Sequence, residues 1–400
     1  MEDHKLTQDL RRFSHVSRQA SPNVQRRIEA LKVGQKMQDL PEVLWHASFR
    51  YYVKEDPNRK GGPNLRMIRL DPEQPSLTVT GFIFNKFVHP SEDRFITARE
   101  AARLQGFPDW YMFTGPLTSV QRQIGNAVPV QMARAIGSAI LRKEREVHPT
   151  GDRTLRVLSL FSGAGGLDLG FFANRCYGID FEIDSCVEFD RDSCETLRYN
   201  FGAEAHNVIE GDIRSVRVPD LLRGRSKTGF DVVIGGPPCQ SFSQAGKQKG
   251  INDDRGQLIE EYIRMVRESN PRYFVFENVS NLKSIGRGDL LRSILSDLRT
   301  LGYNCEVGVL SASDYGAPQK RRRLVILGSR KDLGTLSIPS PTHGIGPDLQ
   351  PFTTVEDAFN GLPQLMAAKP KEQQASNTKA KYRDALKNMQ IRLDLAECWA

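Results

Sequence analysis

Nothing in these 400 residues is apolar for long enough to cross a bilayer. No run approaches the ~18 residues a helical span needs, so no membrane attachment is expected. The opening stretch, MEDHKLTQDLRR, lacks the apolar segment of a secretory leader. Cysteine is scarce, six in all, and no two form a Cys-x-x-Cys pair. That argues against a disulfide framework and against a zinc cluster, so no metal is expected. A reducing, cytoplasmic setting follows as the expectation. Excess acidity is missing too: 56 Lys and Arg stand against 48 Asp and Glu, a formal charge of +8. Such a balance favours a polyanionic partner, although many basic proteins bind no nucleic acid. Hydrophobic residues at 39% and charged residues at 26% are ordinary for a globular chain, and the length suits two or three domains.

What is present centres on residues 230–243, FDVVIGGPPCQSFS. Phe230 to Ile234 is a short, β-branched apolar run, the pattern of a parallel strand buried on both faces. Gly235-Gly236-Pro237-Pro238 ends it abruptly, since glycine allows close backbone approach and proline forbids ladder pairing. Cys239 follows at the carboxyl end of that strand, where open α/β sheets place their ligands. A thiol held there is a candidate nucleophile. The plainer reading is a buried structural cysteine, but the Gly-Gly-Pro-Pro frame constrains the backbone more than packing requires.

Two further strand ends offer partners. Arg272 to Val279 reads RYFVFENV, a buried-strand pattern that sets Glu277 beside Cys239 if the two strands are neighbours. Residues 315–328 read YGAPQKRRRLVILG. Alternation along a strand would put Gln319, Arg321 and Arg323 on one face.

PPCQSFS, ENV and QKRRR, in this order, resemble the DNA (cytosine-5) methyltransferase family, and the likeness extends over residues 65–365. Arg94 to Pro108 is similar to the family's ninth motif. Within it Thr97 with Glu100 makes a capping box at the start of a helix. Gln123 to Val130, QIGNAVPV, followed by an apolar helix from Val130 to Leu141, is similar to the tenth motif, which places Asn126 and Ala127 at the methionine end of the cofactor. In most members that motif closes the chain. Here it precedes the glycine-rich motif, so the order reads as a circular permutation.

Leu155 to Phe161 is expected to be a strand entering Ser162-Gly163-Ala164-Gly165-Gly166. Strand, glycine-rich turn and helix form a nucleoside-pocket pattern, and the spacing departs from the GxGxxG of a dehydrogenase. Glu188 lies 25 residues beyond Gly163, near the ~20 expected for an acidic ribose ligand. Phe189 can pack on a purine, and Asp212 suits an exocyclic amine, with a solvated acidic loop as its plainer reading. Together they look like the family's S-adenosyl-L-methionine site, for which the resemblance implies Phe161, Gly163, Gly165, Glu188, Phe189, Asp212, Ile213 and Pro237.

The fold expected is α/β: a Rossmann-like, mostly parallel S-adenosylmethionine-dependent methyltransferase sheet plus a smaller, irregular target-recognition domain. Residues 1–118 would be the small domain and 119–335 the catalytic domain, with 336–400 a C-terminal extension packing toward the former. Within 1–90, a helix is expected near Val24 to Gln38. Strand-like aromatic runs are expected over Val43–Val53 and Phe82–Val88, with Trp45, His46, Arg50, Tyr51 and Tyr52 facing a DNA groove. Residues 243–257 would be a lid over the nucleophile.

The resemblance implies methylation of cytosine C5 in a short double-stranded DNA sequence, by base flipping and addition of Cys239 to C6. Glu277 would act on N3, Arg323 on O2, and Arg321 on the thiolate or a phosphate. The setting would be a restriction-modification system, with a cognate endonuclease as genetic partner, or an orphan modification methylase, which the sequence does not distinguish, and the chain is expected to act as a monomer. An RNA cytosine methyltransferase and a catalytically silent DNA-binding protein are the alternatives, the second disfavoured by intact Cys239, Glu277 and Arg323. The target sequence is not legible. The cyclic order of motifs predicts that the two termini lie close together.

Overall fold

The computed structural model describes residues 15–17, 19–55, 67–81, 86–202, 207–223, 229–238, 256–362 and 365. These fall into two compact units. Of the described residues, one comprises those within 15–126, 318–320 and 352–362; the other comprises those within 127–317 and 321–351. Cys239, most of the expected lid and both termini lie outside the described residues.

The first unit is built on a small core of Ile28, Leu31, Met37, Leu40, Met67, Val88 and Phe95. The helix Pro22–Ala30 supplies Ile28 and stops before Leu31, whose backbone is extended. β1 (Ile68–Arg69) and β2 (Phe87–Val88) pair in parallel. Arg69 is buried, and its guanidinium donates to the carbonyls of Ile28, Leu31 and His89 and to Asp93. A buried charge is tolerable only when satisfied in this way.

The aromatic run at 43–53 is not a strand. A short 3-10 turn, Glu42–Leu44, leads into the helix Ala47–Lys54. Trp45 and Phe49, four residues apart, meet edge to face at 5.0 Å and pack on the small core, the i, i+4 pairing of a helical turn. The Trp45 indole N–H donates to the Leu40 carbonyl, so this ring anchors the unit and is not held out toward a groove. Of the second expected run, Phe87–Val88 is strand and 82–85 lie outside the described residues.

The helix Ala98–Leu104 begins as the capping box requires: the Thr97 hydroxyl accepts from Glu100 N, and the Glu100 carboxylate accepts from Thr97 N. Helix Leu117–Asn126 packs on it, with the Gln105 amide donating to the Ile124 carbonyl at 2.5 Å. That packing moves the edge of the unit to Asn126, past the expected 118. The C-terminal stretch joins the unit at Phe352, not at 336. Its helix Val355–Phe359 is held by Arg103, which donates to the carbonyls of Ala358 and Asn360.

The second unit is an α/β sheet of eight strands: β3 (Arg153–Leu160), β4 (Arg175–Cys176), β5 (Ile179–Glu188), β6 (Asn207–Glu210), β7 (Val232–Gly235), β8 (Tyr273–Val279), β9 (Tyr303–Ser311) and β10 (Arg322–Arg330). The order is β4-β5-β3-β7-β8-β10-β9, with β6 also on β5. Pairs β3–β5, β3–β7, β5–β6 and β7–β8 are parallel; β10 runs antiparallel between β8 and β9. β7 is buried throughout and β8 nearly so, as expected for central strands covered on both faces.

The helix after the Gly-Asn motif runs Val130–Val147, beyond the expected Leu141. A Cβ on Gly170 would come within 2.4 Å of Ala133 Cβ, so that helix lies directly on Gly166–Phe172. Its buried Glu144 accepts from Arg272 and Tyr273 and forms an ion pair with Arg153, fixing the helix to β3 and β8.

Candidate active site

Parallel strands in a common sheet end on one edge, and the strand ends expected to carry chemistry do so here. β3 stops at Leu160, one residue earlier than expected, because Phe161 turns into the left-handed region at φ 54°. Gly163 and Gly165 continue the turn at φ 55° and 74° before helix Gly166–Phe172 begins. A Cβ on Gly166 would lie 2.4 Å from the Val128 carbonyl and 3.1 Å from Ala127 Cβ. Ala127 therefore sits against the glycine-rich turn. Asn126 ends the preceding helix and is exposed.

At the end of β5, Glu188 accepts from Gly163 N through one oxygen and from Asp190 N through the other, both at 2.8 Å. Burial pushes its carboxyl upward, with the Asp190 and Gly163 backbone donors opposing. It thus braces the turn as well as lying where a ribose ligand is expected, a role that spacing alone did not reveal. Phe189, next to it, is 77% exposed, an aromatic face left open to solvent. Gly211 N donates to Glu188 O, which brings the end of β6 alongside. Asp212, however, turns both oxygens to Arg214, whose hydrogen bond lowers its pKa. An adenine amine would have to share that carboxylate. Ile213 is buried in the core beneath it.

These residues fit S-adenosyl-L-methionine. A Cβ at Gly163 would meet nothing within 4 Å, so space lies over the turn. An acid and an exposed ring flank it, the arrangement that suits a nucleoside.

β7 and β8 are neighbours, the condition set above for Glu277 to be expected beside Cys239, with Gly235 in register with Phe276. Gly236 thus falls beside Glu277, and a Cβ there would lie 2.7 Å from Glu277 Oε2. The Asn278 amide donates to the Pro237 carbonyl at 2.9 Å, fixing the backbone two residues before Cys239. Asn278 lies within the ENV stretch, and this bond is what singles it out.

β10 brings its first residues to the end of β8, and Arg323 Nε pairs with Glu277 Oε1 at 2.8 Å. Arg321 is 2% exposed, drawn down to about 9 by burial and by the like charge of Arg323, with Glu277 opposing. It stays charged at neutral pH. Arg322 points to solvent, so the alternation holds for these three. Gln319 breaks it. It precedes β10, belongs to the other compact unit and is fully buried there.

Among the described residues no group of three or more His, Cys, Asp or Glu is arranged to hold a metal, and no helix is long and apolar enough to cross a membrane.

A sequence model of the family described as C-5 cytosine-specific DNA methylase matches residues 4–142 and 155–395. The chain is 39% identical over 254 residues to the Type II methyltransferase M.AquIA of Picosynechococcus sp., covering 58% of this chain and 98% of that protein. It is 39% identical over 216 residues to the Type II methyltransferase M1.HphI of Haemophilus parahaemolyticus, covering 54% of each. It is 41% identical over 187 residues to M.FnuDI of Fusobacterium nucleatum, covering 47% of this chain and 50% of that one. It thus spans nearly all of the first and about half the length of the other two.

Proposed function

The chain belongs to the C-5 cytosine-specific DNA methylase family, a family of DNA (cytosine-5)-methyltransferases, and we propose that it methylates C5 of cytosine at a specific site in duplex DNA. The observation that carries this reading is the convergence on one sheet edge of the Gly-Gly-Pro-Pro turn, Glu277 and Arg323. Cytosine C5 is a weak nucleophile, so electrons must first enter the ring. Cys239, as thiolate, adds to C6 and splits one hard step into easier ones. Glu277 meets N3 and stabilises the charge that develops there. Arg323, already oriented by Glu277, offers its fork to O2, which Lys could not do as well. When bound, S-adenosyl-L-methionine supplies an electrophilic methyl. Gly163, Gly165, Glu188, Phe189 and Ala127 would hold it over the end of β3. Expulsion of Cys239 with loss of the C5 proton completes turnover. A stacked base cannot reach such an edge, so the nucleotide must flip out.

The unit containing 15–126 and 352–362 is proposed to read the target. Arg50 and Lys54 are exposed and share Glu42, at 3.8 and 2.6 Å. Surface pairs of this kind are weak enough to exchange for phosphate. The circular order of motifs fits the short link, residues 148–152, between helix Val130–Val147 and β3. Pairing with a restriction endonuclease is the biological setting that the Type II relatives suggest.

The purified chain, incubated with labelled cofactor and mixed duplexes, should methylate cytosine at one sequence that bisulfite sequencing identifies. Duplex carrying 5-fluorocytosine at that site should trap a covalent complex. Cys239→Ala should abolish both while leaving cofactor binding intact. Turnover by that variant refutes the mechanism, and methylation of tRNA in place of duplex DNA refutes the substrate.

A further inference from the structure

Asp168 is fully buried, in a position where packing alone would favour an apolar residue. It stands on helix Gly166–Phe172, two residues past Gly166, with Ser159 of β3 and Cys186 of β5 beside it. The Cys186 thiol donates to Oδ1 at 3.5 Å, and Oδ2 has no hydrogen-bond partner among the described residues. A carboxylate oxygen left alone in the interior is costly, so this acid is kept for something other than packing. Its charged neighbours do not relieve it. Glu188 acts on Asp168 as a like charge, and Asp190 acts so on Glu188. Neither Asp168 nor Glu188 has an ion-pair partner among the described residues. Burial pushes the Asp168 carboxyl up to about 6, with the Ser159 hydroxyl opposing, so at pH 8 it is ionised. The glycine-rich turn therefore rests on negative charge that no side chain balances.

A cation held over that turn would balance it. A Cβ on Gly166 would lie 3.1 Å from Ala127 Cβ, and Asp168 is only ~3 Å further along the helix axis. Ala127 is where the cofactor reading sets the methionine end, and that end carries the sulfonium. Methyl transfer turns the sulfonium into a neutral thioether, while the adenine, ribose, carboxylate and ammonium stay as they were. We propose that Asp168 is a specificity-determining residue: its buried carboxylate favours the sulfonium cofactor over the neutral thioether product, biasing the pocket toward fresh cofactor. This rests on the cofactor reading above and adds the means by which that pocket tells substrate from product. The residue acts through its charge and need not touch the ligand. A buried charge is screened by salt far less than an exposed one. For unit charges within ~15 Å, at an effective dielectric constant of ~20, the attraction is worth at least about fivefold in affinity.

The test measures, by calorimetry, the affinities of the full-length wild type, Asp168→Asn and Asp168→Ser for S-adenosyl-L-methionine and for S-adenosyl-L-homocysteine. Everything the two ligands share cancels in the ratio of their affinities. Loss of the carboxylate should cut the preference for the sulfonium at least about fivefold at pH 8, with affinity for the thioether within about threefold of wild type. In the wild type the preference should fade as pH falls through about 6, where the carboxyl takes up a proton, and the variants should lack that step. The titratable groups facing Asp168 are Cys186 and Glu188. Burial holds the Cys186 thiol neutral, so any pH dependence left in the variants belongs to Glu188. Asp168→Ser and the wild-type pH profile decide the matter if Asp168→Asn does not fold. A ratio within about twofold of wild type in the variants overturns the proposal. So does an equal loss of affinity for both ligands, which would mark a merely structural acid. A wild-type chain that binds neither ligand overturns the cofactor reading and this proposal with it; wild-type binding of both, with an unchanged ratio in the variants, overturns this proposal alone.

Discussion

Adding one methyl group at Gly236 should disable the site without disturbing the cofactor pocket. Gly236 does not adopt a positive φ, so the backbone accepts alanine and the obstacle is what the new Cβ meets. That atom would lie 2.7 Å from Glu277 Oε2 and 3.4 Å from the Glu277 carbonyl. Ordinary carbon–oxygen contact begins near the second of these distances, so the carboxylate must withdraw by about 0.7 Å. Its other oxygen is bound to Arg323 Nε at 2.8 Å, within the narrow range of a charge-assisted bond. The withdrawal therefore drags or breaks that pair. A misplacement of ~1 Å can cost about a hundredfold in rate, so Gly236→Ala should slow single-turnover methylation roughly ten- to a hundredfold. Overpacking should also take ~1–3 kcal/mol from stability. Calorimetry should show cofactor affinity unchanged, since the glycine-rich turn and Glu188 are on other strands. A variant that turns over within about threefold of wild type would mean that the carboxylate has room to move and that Glu277 is not held for catalysis.

Glu188→Ala should weaken cofactor binding by ~1.5–3 kcal/mol, about ten- to a hundredfold, because it removes a ligand and also releases Gly163 N and Asp190 N; near-normal duplex retardation should accompany it, and unchanged cofactor affinity would refute the assignment. Asp168, fully buried beneath the turn beside Cys186, is pushed up by burial to about 6 from 3.8. A raised carboxyl contributes stability in its protonated form, present in full below the unfolded value and lost as pH climbs through about 6. Asp168→Asn should thus stabilise the chain at pH 8 by up to roughly 3 kcal/mol, less whatever an extra buried amide costs, and much less at pH 5. Denaturant titrations showing a gain no larger at pH 8 than at pH 5 would contradict this.

The parts of the site that could be read from the chain are those that local chemistry dictates. Val232 to Gly235 and Tyr273 to Val279 are apolar runs cut off by Gly-Pro or by a single charge, and each element announces itself within ten residues. What was not legible depends on partners far along the chain. β10 carries the same apolar signature as a parallel strand, and only its pairing with β8 and β9 makes it antiparallel. Trp45 and Phe49 look like alternating strand residues until their i, i+4 contact is seen. Glu188 was found by its spacing from Gly163, but the hydrogen bond between them needs three dimensions. Gln319 is the sharpest case. Read along the strand, it belongs with Arg321 and Arg323. Its amide instead bonds residues more than two hundred positions earlier. Period-two alternation assumes that every residue of a run answers to one sheet. Gln319 lies before β10, so its burial answers to residues 79, 104 and 105 and not to β8 or β9.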